Sequence, residues 1–250
     1  MKIYVISLER SSERRERITK HLSGLGIAFE FFSAVDGRGE KTPGYDDEQR
    51  MKEKGHSLTL GERGCFSSHR ALWEKCVLLK EPILILEDDV DFSDSFFYFV
   101  KYLDDILSHY CYVRLGRGPL KKMPMFGAYY SMQHLSGVEG HSLVKYLRGP
   151  SCCHGYALSP TAAEKFLSYS ESWWWPVDDY MDSEYIHGVC DYGIEPPIVL
   201  QTDQPSEIGY LERENKGHRT LAVRARKEIY RVKSNISGYL FNLKFFFNGE

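Results

Sequence analysis

Two periods alternate along the first third of the chain. Lys2 to Leu8 reads as a strand, and Ser11-Ser12 then offers a helix cap to a segment with Ile18, Leu22 and Leu25 on one face, ended by Gly24 and Gly26. Phe29 to Val35 forms a second strand and Asp36-Gly37 turns the chain, so the opening is a β-α-β unit. Residues 37–58 are polar and poorly periodic, the pattern of a mobile loop. Helical period returns at Glu62, with Cys65, His69, Leu72, Cys76 and Leu79 on one stripe and Glu81-Pro82 as its stop. A short apolar run follows, then a helix from Phe96 to Leu107 and a strand at Cys111 to Leu115. The stretch to Gly149 has no secure period. Tyr156 to Leu158 is strand-like, and Ser159-Pro160 starts a helix with a cap residue and a proline at the first position. Strands alternating with helices predict an α/β fold with a mainly parallel central sheet flanked by helices.

The apolar run is the most informative segment. Residues 83 to 92 read Ile-Leu-Ile-Leu-Glu-Asp-Asp-Val-Asp-Phe. Four consecutive large apolar residues suit a strand buried on both faces, and ligands of parallel sheets bind beyond the carboxyl ends of the strands. Glu87, Asp88, Asp89 and Asp91 then stand at the expected site. Several hard oxygen donors at one point suit Mg²⁺ or Mn²⁺, commonly together with nucleotide phosphates. A strand followed by a helix cap is the alternative; it accounts for Asp94 but not for Glu87 or Asp89.

Composition adds a division of charge. The formal net charge is -3, but residues 213–250 hold nine Lys/Arg against three Asp/Glu, a tail of +6 on a body of -9. The six cysteines lack zinc-type spacing and read as reduced packing residues. No segment has the length of a membrane span and Met1-Lys2 leads straight into a strand, so a cytoplasmic protein is expected, and no nucleic-acid partner. Two parts are anticipated, a domain over 1–218 and a basic, aromatic extension over 219–250. In the extension Arg224, Arg226, Lys227, Arg231 and Lys233 precede Tyr239, Leu240, Phe241, Leu243, Phe245, Phe246 and Phe247. That order suits peripheral contact with an anionic membrane; docking of the aromatics on the body is the alternative.

Three further groups carry chemistry. Ser7-Leu8-Glu9-Arg10 with Arg14 and Arg15 lies where the first strand gives way to its helix, where guanidinium groups can meet phosphate or a base; a solvated helix face of alternating charge is the alternative. His69 sits on its helix's apolar stripe, either as a core histidine or near the cleft. Trp173-Trp174-Trp175 is followed by Asp178 and Asp179. Three consecutive tryptophans cannot all face one core, so at least one should be exposed or line a pocket, where it could offer a sugar an apolar platform; one Trp in the core and two partly exposed is the alternative. Asp178 or Asp179 is a helix cap or, beside aromatic surface, a general base.

Ile3-Tyr4-Val5-Ile6-Ser7-Leu8 with Ser12-Glu13-Arg14-Arg15, Gly64-Cys65-Phe66-Ser67-Ser68-His69 with Leu72-Trp73, Leu86-Glu87-Asp88-Asp89-Val90, and Pro176-Val177-Asp178 stand in an order that resembles glycosyltransferase family 25, over roughly four-fifths of the chain. The resemblance implies a GT-A-type fold, a UDP-sugar donor, a divalent metal and inversion at the anomeric carbon. It is strongest to the bacterial lipooligosaccharide galactosyltransferases of the LpsA type. The expected enzyme therefore moves galactose or glucose from UDP to a lipid-linked oligosaccharide.

On that reading Asp89 is the direct ligand of Mn²⁺ or Mg²⁺, with Glu87, Gln201 and His218 as further candidates. Asp178 is the expected base and Asp179 its alternative. Ser7, Arg14, Arg15, Ser68, His69, Glu87, Asp88 and Arg114 are expected around the donor; Trp174, Trp175 and His154 around the acceptor. A metal-dependent phosphohydrolase and a non-catalytic saccharide-binding module are the rival classes.

Overall fold

Alternation within single strands divides the core into two faces. The computed structural model describes residues 1–39, 42–123, 127–134, 140–202 and 221–248. In β1 (Lys2–Ser7) Ile3 and Val5 face one side and Tyr4 and Ile6 the other; in β3 (Ile83–Glu87) Leu84 and Leu86 oppose Ile83 and Ile85 in the same way. All four apolar residues of β3 are fully buried. Each contributes about 1.5–3 kcal/mol by leaving water.

The elements follow in chain order. After β1 come α1 (Ser12–Gly24), β2 (Glu30–Ser33), α2 (Asp47–Lys54) and α3 (Leu60–Leu79). β3 leads through β4 (Val90–Phe92) to α4 (Phe96–His109), β5 (Tyr112–Arg114), β6 (Tyr129–His134), β7 (Ser142–Tyr146) and β8 (Gly155–Leu158). Then come α5 (Pro160–Ser168), α6 (Val177–Met181), α7 (Glu184–His187), β9 (Tyr192–Glu195), β10 (Val199–Gln201) and α8 (Leu221–Asn248). Eight strands form one sheet in the order β2-β1-β3-β8-β5-β9-β7-β6. Six run in one direction; β7 and β8 are reversed, so the sheet is mixed at its junctions but mainly parallel in sense. The core side of α1 and α4 covers one face, α3, α5 and α6 the other. The expected α/β architecture is present.

β1 has parallel neighbours on both sides, β2 and β3, so the chain reverses its order of strand addition there. Ile6 pairs with Glu87, which brings the end of β1 beside the acidic turn. α3 starts at a capping box: Thr59 accepts from the Glu62 amide, and the Glu62 side chain accepts from the Thr59 amide.

Three segments differ from the sequence expectation. The polar stretch 37–58 holds α2, capped by Asp46. That helix has little apolar face of its own and is held by packing against α8 and by Arg50 reaching the Trp174 carbonyl. The unassigned stretch before Gly149 contains the β6–β7 hairpin that extends the sheet. The tryptophan run does not present an open face: Trp173 is fully buried against Phe66, ring to ring at 3.9 Å, and Trp174 is only 6% exposed. Trp175 stacks on Trp174 and donates to the Tyr230 hydroxyl of α8 at 2.7 Å. The C-terminal helix is the cover that lets adjacent tryptophans be sheltered together.

Gly37 and Gly64 let the turn after β2 touch α3. A Cβ on Gly64 would overlap the Val35 carbonyl oxygen, and one on Gly37 the Leu60 carbonyl. Gly64→Ala should therefore cost about 1–3 kcal/mol in chemical denaturation and also loosen the cleft wall; an unchanged midpoint would mean that this contact is slack.

Candidate functional site

β1, β2, α1 and α3 end around one open cleft, lined among others by Ser7, Arg10, Arg14, Asp36, Ser68 and the acids Glu87, Asp88 and Asp89. The cleft lies at the carboxyl ends of β1 and β3, as the strand pattern predicts. α1 neutralises the acidic turn. Arg14 meets Asp88 at 3.0 Å and Asp89 at 3.6 Å, and Arg17 holds Asp91 at 2.7 Å and the Asp88 and Val90 carbonyls at 3.1 Å. The Ser7 hydroxyl donates to Asp88 at 2.6 Å.

The three acids differ in what they face. Burial pushes the Asp88 carboxyl up, although Ser7 and Arg14 oppose the rise. Asp89 goes further: burial, then the Glu87 charge, raise it to about 7 despite Arg14. Its Oδ1 is buried and has no hydrogen-bond partner. Glu87 turns to the floor of the cleft, where its Oε1 lies 3.3 Å from His69 Nε2 and accepts from the Cys153 thiol at 3.1 Å. Burial disfavours its charge, but His69 outweighs that and holds Glu87 below its ordinary value. His69 is itself fully buried, with Nδ1 2.8 Å from the Tyr156 hydroxyl. Burial opposes its imidazolium, yet Cys65 and Glu87 raise it above its usual value.

Of the expected donor residues, Ser7, Arg14, Ser68, Glu87 and Asp88 line the cleft. Ser68 also ties it together, accepting from the Val35 amide at 2.9 Å and donating to the Gly64 carbonyl at 2.8 Å. Arg15 points elsewhere and stacks over Phe31 at 4.3 Å. Arg114 is fully buried and committed to Asp191 at 2.6 Å, Asp182 at 2.9 Å and the Ser151 and Cys152 carbonyls, so it supports a loop. That loop takes left-handed φ at Ser151 (60°) and Cys152 (67°).

Gln201 lies on β10 opposite Val90, its Oε1 3.9 Å from the Cys152 sulfur; its neighbour Thr202 donates to the Asp89 carbonyl. His218 lies outside the described residues. His154 is 2% exposed and faces the Val199 carbonyl, with Nδ1 unpartnered, so it offers no surface to an acceptor. Trp174 is buried and Trp175 half-buried, both packed against Tyr230 of α8. Asp178 is half-buried at the start of α6 and Asp179 is exposed. Burial, then Asp179 and Asp182, raise Asp178 to about 6, and its charge reaches Cys152 and Cys153, the residues next to Glu87.

Arg10, in the turn after β1 that the sequence marks for phosphate, pairs with Asp36 at the rim. Cys65 and Cys153, which the sequence reading takes as packing residues, meet at the floor. Arg10 follows directly from the end of β1. The cysteines, 88 positions apart in sequence, come together where α3 packs over the core beside the start of β8.

Asp89 generates a pH prediction. A carboxyl that ionises at about 4 when unfolded and at about 7 when folded binds more protons in the folded state, so its charging removes stability as pH rises from 4 to 7. Asp89→Asn should gain on the wild type over that interval and level off above it in denaturation midpoints. A gap independent of pH would show that Asp89 ionises normally.

The comparisons with known proteins bear on this cleft. The model of glycosyltransferase family 25 (LPS biosynthesis protein) matches residues 1–181. A glycosyltransferase 25 family member of Aedes aegypti is 42% identical over 106 residues, 38% of this chain and 17% of that protein. A mouse relative named inactive glycosyltransferase 25 family member 3 is 38% identical over the same share of this chain and 17% of its own length. The chain thus spans about a sixth of these animal relatives. The lipooligosaccharide biosynthesis protein lic2B of Haemophilus influenzae is 27% identical over 94% of this chain and 90% of that protein.

Proposed function

The chain belongs to glycosyltransferase family 25, and we propose that it moves a hexose, galactose or glucose, from a UDP-sugar to a saccharide of a lipooligosaccharide core with inversion. Membership alone does not assign activity, because a relative in the same family is named inactive. The observation that carries the reading is the acidic turn: Asp89, 9% exposed, presents an unpartnered Oδ1 beside a cleft that arginines enter from α1 and its preceding turn. An orphaned carboxylate oxygen of that kind fits Mg²⁺ or Mn²⁺. Asp89 would hold the ion, which when bound offsets charge developing on the departing diphosphate.

The remaining work falls to side chains. Arg10, at the rim, meets a diphosphate. In the displacement, the acceptor hydroxyl forms a bond to the anomeric carbon as the bond to the UDP oxygen breaks, and the hydroxyl proton passes to a carboxylate. Asp178 is our assignment for that base; at about 6 its carboxyl is ionised at neutral pH yet basic enough to take a proton. Asp179, exposed one residue on, is the alternative.

Calorimetric titration with UDP tests the donor site. Binding should require Mn²⁺ and disappear in Asp89→Ala, whereas Asp178→Asn should keep it and lose about two to four orders of magnitude in turnover. No UDP binding by the wild type with or without metal would end the transferase reading in favour of a phosphohydrolase or saccharide-binding module.

The lipid-linked acceptor is supported by α8. Phe245 and Asn242 are buried on the body, while Ile229, Val232, Ile236, Leu240 and Phe247 form an exposed stripe at helical spacing. From Leu221 to Asn248 the helix has six Lys/Arg and one Glu. An apolar stripe in a basic helix suits an anionic lipid surface. Ile236→Glu with Leu240→Glu should abolish cosedimentation with phosphatidylserine vesicles and spare UDP binding; retained cosedimentation would remove the membrane contact. Paired substitution is preferable to truncation, which would also unseat Asn242 from Lys145.

A further inference from the structure

Four groups that ligate soft or borderline metals meet at the cleft floor. Cys65 and His69 lie one turn apart on α3, Glu87 ends β3, and Cys153 precedes β8; their donor atoms all lie within 4.8 Å of one another. We propose that Cys65, His69, Glu87 and Cys153 form a tetrahedral site for Zn²⁺, separate from the hard-cation position at Asp89.

Bond lengths of about 2.3 Å to sulfur and about 2.0–2.2 Å to nitrogen and oxygen place tetrahedral neighbours roughly 3.3–3.8 Å apart. His69 Nε2 and Glu87 Oε1 are already 3.3 Å apart, and the Cys153 sulfur and Glu87 Oε1 3.1 Å. Small side-chain rotations complete the set. Two thiolates, an imidazole and a carboxylate select zinc over magnesium or manganese. With both thiols deprotonated and His69 neutral, the bound ion leaves a net charge of -1 on the cluster.

The surroundings match a metal site's outer shell. The Tyr156 hydroxyl, 2.8 Å from His69 Nδ1, fixes the ring so that Nε2 faces the cluster, and Trp73 Nε1 donates to the same hydroxyl at 2.9 Å. Such partners orient ligating histidines. The backbone fixes Glu87 in turn, its amide donating to the His154 carbonyl at 2.9 Å. Entry is available, because Cys65 and Glu87 both line the open cleft. The assignment also separates the roles of the acidic turn: Glu87 is drawn to the floor, and Asp89 is left to face the cleft.

Cobalt titration of the reduced full-length chain tests this without reference to sugar transfer. One Co²⁺ per chain should produce a thiolate-to-cobalt charge-transfer band and the visible bands of tetrahedral cobalt, and one equivalent of Zn²⁺ should bleach both. Cys153→Ser should remove the charge-transfer intensity from that sulfur, and Tyr156→Phe should weaken zinc binding about 10–100-fold. Asp89→Ala should keep the cobalt bands while losing Mn²⁺-dependent UDP binding, so the two sites fail separately. If a variant does not fold, the wild-type spectrum decides. Absence of the charge-transfer band with all six thiols titrating as reduced would overturn the proposal, as would a band of undiminished intensity in both Cys65→Ser and Cys153→Ser, or any such band in the double variant.

Discussion

A strand sealed on both faces cannot carry charge until it leaves the sheet, and the site depends on that constraint. β3 is apolar through Leu86, and its first ionisable side chain is Glu87. Charge of one sign is thereby concentrated over three residues at the boundary between core and cleft. It can remain there only if neutralised, and α1 is built to do so: Arg14 and Arg17, three positions apart, share a helix face directed at the turn. Neutralisation is incomplete by one oxygen, that of Asp89. An unsatisfied buried acceptor and cations at the rim are the groups that a metal ion and an anionic ligand would meet in this cleft.

Much of this was legible in the sequence because it is local. The strand, its acids, the cap of α3 and the cap-plus-proline start of α5 each depend on residues within a few positions of one another. The stripe of Cys65, His69, Leu72 and Cys76 correctly indicated which side of α3 faces inward, with His69, Leu72 and Cys76 fully buried. What escaped was what pairing of distant elements decides. Arg114 has the same composition signal as a nucleotide-binding arginine, and only the arrival of Asp182 and Asp191 from 68 and 77 positions away makes it a structural ion pair. α2 was missed for a related reason, since its stability comes from α8 and not from its own amphipathicity.

The tryptophans divide between two packing surfaces. Three adjacent aromatic residues cannot share one core surface, but they can occupy two if another element closes over them. Trp173 faces the core between α3 and α6, and Trp174 and Trp175 face α8. Lys54 adds its ammonium over the Tyr230 ring at 4.3 Å, so α2, α8 and the aromatic run form one unit.

Lys145 gives α8 a further meaning. This fully buried ammonium lies 2.7 Å from Glu184 and 3.2 Å from the side chain of Asn242, which reaches it from α8 across 97 positions of sequence. During synthesis on the ribosome, the residues that need cover are made well before the helix that covers them. Until then the emerging polypeptide has an aromatic surface open to water and a Lys145 ammonium that lacks its Asn242 partner. Completion of the fold is in this sense a late event in the life of the nascent chain.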